Sequence, residues 1–155
     1  MISIGLNEKQ RSDVALTLNT LLANEYVLYT KTLKFHWNIR GKHFGPLHEL
    51  FGKQYEQLLS TADRVAERVR ALGGLSLGTL QEFAAQASVQ EEPGQNPDDM
   101  GMIRQLLVDH ELIIRLIREY SLQAAAVHDE GTVNMFGELI EMHEKIAWML
   151  RSHLE

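Results

Sequence analysis

Apolar residues recur at steps of three and four through most of this chain, a period that predicts helices. The first run carries Val14, Leu18, Leu21, Leu22, Leu28 and Leu33. Asn7, with Gln10 three residues later, reads as a capping box that opens it. The run is expected to reach about Ile39, with Gly41 as its stop. A second helix starts near Pro46, a residue suited to a first turn. Leu47, Phe51, Tyr55, Leu58, Ala62, Val65, Val69 and Leu72 form its apolar face, and Gly73-Gly74 ends it. Gly52 interrupts that helix, where glycine costs about 1 kcal/mol relative to alanine.

Residues 75–95 lack a long apolar repeat, but Thr79 and Glu82 form a second capping box and predict a short helix over 80–87. Asn96 as cap, Pro97 at the first helical position and the acidic pair Asp98-Asp99 then predict a helix from Asp98 to about Val127. Ile103, Leu106, Leu107, Ile114, Ile117 and Tyr120 give it an apolar face. The segment HDEGT breaks it, and Thr132 is expected to cap a last helix that buries Val133, Phe136, Leu139, Ile140, Ile146, Ala147 and Leu150. No stretch reads as a strand. Four long helices with a long crossover in the middle predict an all-α, ferritin-like four-helix bundle, with a short helix in the crossover between the second and third long helices.

Composition narrows the chemistry. The 155 residues suit one domain spanning 1–155, and 45% apolar content can fill its core. A net charge of −6 argues against tight electrostatic binding to nucleic acid, which needs clustered Lys and Arg, and favours attracting cations. With no cysteine, disulfides, thiolate clusters and thiol nucleophiles are excluded. The opening residues are too poor in apolar side chains for a signal peptide, and no run approaches membrane-spanning length. A cytoplasmic protein with no membrane contact is expected.

The candidate chemistry sits between His36 and Gly74. His36 and His48 stand on different helices. Asp63 and Glu67 are one turn apart on the second helix, about 5–6 Å apart at Cβ. Imidazole and carboxylate together suit a divalent first-row metal such as iron. Taken singly, each histidine also reads as an ordinary hydrogen-bonded residue, Trp37 as packing, and the two acids as a solvated strip among Arg64, Arg68 and Arg70. The usual bundle-core iron signature, Glu-x-x-His, does not occur, so a site inside the bundle is not expected. Spacing alone leaves open whether the histidines meet the acids within one chain or across two.

The segments FHWNIRGKHFGPLHELF, DRVAERVRALGG and HEKIAWMLRSHLE resemble the Dps mini-ferritins, and the resemblance covers essentially the whole chain. It implies a hollow homododecamer with iron sites between two-fold-related subunits. His36 and His48 would come from one subunit, Asp63 and Glu67 from its neighbour. It implies a ferroxidase, which oxidises Fe(II), preferably with hydrogen peroxide, stores the ferric product as mineral, and so protects against oxidative damage. Trp37 would intercept stray one-electron oxidants. Where the family usually carries a further carboxylate this chain has Gly52, which predicts a weaker second iron position. Glu49 and Glu56 lie nearby, and Glu49 is expected to face the cavity. Asp129, Asn134 and Glu138 match the region that lines the family's acidic entry pores, which also reads as a plain polar turn. The site is expected to fail in acid, because metal binding needs neutral imidazole and ionised carboxylate. Two other readings remain: a DNA-compacting protein, disfavoured because the chain has no Lys-rich tail, and a scaffold whose weakened site holds zinc.

Overall fold

The structure, a computed structural model, describes residues 2–155. Helix α1 spans Glu8–Asn38, α2 Phe44–Ala71, α3 Leu80–Gln86, α4 Asp99–Ala126 and α5 Glu130–Arg151. Among the described residues there is no strand, and the ferritin-like bundle predicted from the periodicity is what forms. Both capping boxes are made: Asn7 with Gln10 opens α1, and Thr79 with Glu82 opens α3.

Three helix starts differ from the expectation. α2 begins at Phe44 rather than near Pro46, because proline is tolerated anywhere in a first turn whose N–H groups are unpaired. α4 is capped by Asp98, whose carboxylate accepts from the Gly101 N–H at 2.7 Å, so neither Asn96 nor Pro97 belongs to the cap. α5 is capped by Asp129 and not by Thr132. The Thr132 N–H and hydroxyl both donate to Asp129, at 3.1 and 2.6 Å. A carboxylate with two oxygens outcompetes a hydroxyl for the free N–H groups of a helix start. In the tight turn between α4 and α5, His128 takes a left-handed conformation with φ +61°.

The apolar faces meet in one core. Leu18, Leu21, Leu28, Phe35, Leu47, Phe51, Leu58, Ile103, Leu106, Ile117, Phe136 and Leu150 are among the buried side chains. On α4 the helical phase places Ile113 in the core and leaves Ile114 half-buried. α2 runs back along α1, and the start of α4 returns to the end of α1, where Asn96 Nδ2 donates to the Asn38 carbonyl. α1 packs on both α2 and α4, α5 packs on α4, and α2 touches α5. The crossover is pinned to α1. The buried Asn24 accepts from the Ser88 and Val89 N–H groups, Lys31 donates to the Gln90 carbonyl, and Phe83 of α3 stacks on Tyr26 at 4.5 Å.

Candidate metal-binding site

His36 ends α1 and His48 begins α2, so the short turn between the helices folds the two imidazoles together. Their rings stack with centroids 3.8 Å apart and planes 16° from parallel. Phe44 stacks on the outer face of this region, 5.0 Å from His48, and Tyr55 meets His36 edge-on at 5.2 Å. The two rings hold each other's backbone. His36 Nδ1 lies 2.7 Å from the His48 carbonyl, and His48 Nδ1 lies 2.8 Å from the His36 carbonyl. A carbonyl only accepts, so each Nδ1 carries the hydrogen and donates it. In the neutral ring this leaves the Nε2 lone pair of both histidines free, which is the tautomer a metal ligand needs.

Gly52 belongs to this geometry. A Cβ there would lie 3.2 Å from His36 Cε1 and 3.3 Å from its Nδ1. The glycine that seemed misplaced in a helix interior makes room for the imidazole.

Asp63 and Glu67 are exposed on one face of α2. At about 1.5 Å of rise per residue, Asp63 lies about 22 Å along the helix from His48. Within a single chain the histidines and the acids therefore lie too far apart to share one ion. Among the described residues, no three carboxylate or imidazole groups come together to hold a metal. An open groove flanks Asp63, lined by Leu22, Tyr26, Glu56, Leu59, Ala66 and Phe83. Leu59 is exposed there, as are Trp37 and Phe44 beside the histidines.

The remaining candidates are dispersed. Trp37 is 69% exposed. Glu49 is exposed and bonded to Lys53 at 2.6 Å, a contact that lowers its carboxyl pKa. Asp129 is only 4% exposed and is committed twice, to the α5 cap and to Arg68 at 2.6 Å. Glu138 is exposed and pairs with Arg64, and Asn134 is exposed on the same helix. Inside the bundle, by contrast, lies a cluster that no local spacing along the chain reveals. Glu25, His110 and His143 come from three helices and are hydrogen-bonded in series. Their separations of 33 and 118 residues leave no local signal.

Comparison with known proteins adds the following. A family model described as the ferritin-like domain matches residues 15–155. An uncharacterized low temperature-induced protein of Nostoc sp. is 42% identical over 99% of this chain and 87% of its own. The DNA protection during starvation protein 2 of Bacillus anthracis is 33% identical over 88% of this chain and 93% of its own. Among solved structures, DpsC from Streptomyces coelicolor superposes with a TM-score of 0.97 at 30% identity, covering 100% of this chain and 91% of that one. A Dps protein from Vibrio cholerae O1, described as a member of a broad superfamily of ferritin-like diiron-carboxylate proteins, superposes at 0.93 with 29% identity and full coverage of both chains.

Proposed function

Because the chain belongs to the ferritin-like family, as a mini-ferritin of the Dps kind, we propose that it captures Fe(II) between two subunits, oxidises it and stores the ferric product. Iron storage and protection in general come with the family. The finer reading rests on one observation: the reciprocal Nδ1–H bonds that leave two Nε2 lone pairs free beside an exposed helix face.

The half-sites dictate the partner. α2 carries imidazole near one end and carboxylate about 22 Å away. A second copy related by a two-fold axis near Glu56 and Gln57 would lay each histidine pair against the other chain's Asp63 and Glu67. Such an interface is self-complementary, so it builds two sites at once. It would also cover Leu59 and the groove beside it. The closed shell of twelve subunits follows from the resemblance.

The stacked rings also bear on Gly52. An imidazole lone pair lies in the ring plane. Two nearly parallel planes do not converge on one ion, so His36 and His48 offer separate positions. Each position would hold one Fe(II) with help from Asp63 or Glu67, at a separation near the about 3.5–4 Å of two-metal sites. Two Fe(II) then pass two electrons to one hydrogen peroxide. Its O–O bond breaks without releasing hydroxyl radical, and hydrolysis of the two ferric ions to oxyhydroxide releases four protons. Carboxylates favour the more highly charged ion and so favour oxidation. Trp37 stands beside the site as a sacrificial reductant. Entry of iron near the start of α5 would rest on Glu138, since Asp129 is buried and paired.

Anaerobic Fe(II) titration followed by a peroxide pulse in the stopped-flow tests this. Two irons per site, consumed with one peroxide per pair, are expected. One iron per site with slow oxidation would move the protein towards a scaffold that holds zinc.

A further inference from the structure

The centre of the bundle holds three side chains that the metal-site reading does not use. Glu25 on α1, His143 on α5 and His110 on α4 are each 0% exposed. His143 Nε2 lies 2.7 Å from Glu25 Oε1, and His143 Nδ1 lies 2.8 Å from His110 Nδ1. The carboxylate and the two rings run in series across the core. The other buried ionisable side chains of the bundle helices are Lys31 on α1 and Asp109 on α4, which pair with each other at 2.7 Å. α2 buries no ionisable group, only the polar Gln54 and Thr61. α5 buries His143 alone, while Asp129 at its head is taken up by Arg68. The chain of three thus has one carboxylate and no other counter-charge left over.

Two ring nitrogens 2.8 Å apart share one hydrogen. With none, two lone pairs would face each other; with two, two donors would. His143 spends its other nitrogen on Glu25 Oε1. We propose that Glu25, His143 and His110 form a one-proton lock in the bundle core, and that protonation of both rings in acid drives His110 from His143 and loosens α4 against α5. His110 Nε2 makes no hydrogen bond, so a proton placed there gains no acceptor. Burial holds the His110 pKa well below the usual histidine range, with the charge of His143 as the second cause. A histidine depressed in the folded state contributes stability above its unfolded pKa, about 6.5, and that contribution is lost as pH falls below it. One such proton enlarges the loosened population about tenfold per pH unit.

The test uses the intact assembly across the acid range. Exchange of each histidine's Cε1 hydrogen, read by mass spectrometry, reports that ring's own titration. Exchange of backbone amides reports the packing of α4 and α5. His110 is expected to stay neutral where an exposed imidazole takes up its proton, while amide protection in α4 and α5 falls about tenfold per unit below about pH 6.5. Both rings charging normally while the two helices stay protected would overturn the proposal. His110→Gln keeps a side-chain N–H that can donate to His143 Nδ1 but no second titrating ring, and is expected to flatten the pH dependence of protection. An unchanged dependence in that variant would also overturn it. If the variant does not assemble, the measurements on the native protein decide.

Discussion

Gly52 is where a single side chain decides the geometry of the site. Its missing Cβ lets the His36 ring lie against α2, within stacking distance of His48. Gly52→Ala should be neutral to slightly stabilising for the helix, by up to about 1 kcal/mol. It should nonetheless push the His36 ring by a few tenths of an ångström and lower metal affinity. Co(II) titration by absorption, paired with a thermal melt, separates the two effects. Unchanged Co(II) affinity would mean that the ring has room to spare. At this scale the sequence was partly legible. His36 and His48 stand on either side of one short turn, so their nearness follows from the chain alone. The stacking, the tautomer and the purpose of Gly52 do not, because they depend on how two helices are phased. Glu25, His110 and His143 were not legible at all, since each looks like an isolated polar residue on an apolar face until three helices are packed.

The helices themselves were the easiest part to read, because a 3.6-residue period survives any packing. Their ends were harder. Thr132 has the right chemistry to cap α5, but Asp129 stands three residues earlier and takes both the cap and Arg68 of α2. Asp129 therefore ties the last helix to the second. Asp129→Ala removes the cap and strips a mostly buried guanidinium of its partner, and should cost about 2–4 kcal/mol. Arg64→Ala breaks the exposed pair with Glu138 and should cost no more than about 1 kcal/mol. Urea unfolding of both variants checks the contrast. Equal effects would mean that Asp129 contributes no more than a surface charge.

For the whole molecule, what matters is what one chain lacks. A net charge of −6 per chain works against electrostatic binding to DNA, and a gel shift at low salt, with and without magnesium, should show little binding. No described helix is long and apolar enough to cross a membrane. Oligomer size left no mark on the hydrophobic pattern, because a side chain such as Leu59 reads as an ordinary exposed residue whether or not a second copy covers it. The histidine pair and the acids of α2 lie too far apart to share an ion within one chain, which is why the proposed site needs a second copy. That separation permits a strict test. A variant lacking both histidines, His36→Ala with His48→Ala, should be inactive. So should Asp63→Ala with Glu67→Ala. Co-assembly of the two should restore activity, because at a mixed interface the second variant's histidines face the first variant's acids. With random mixing half the interfaces are mixed and each regains one of its two sites, so about a quarter of native ferroxidase activity should return. A site contained within one chain would give no rescue at any mixing ratio, since every chain would still lack half of its ligands. Rescue to about a quarter would place the imidazoles and the carboxylates on opposite sides of a two-fold interface without need of a bound metal in any structure.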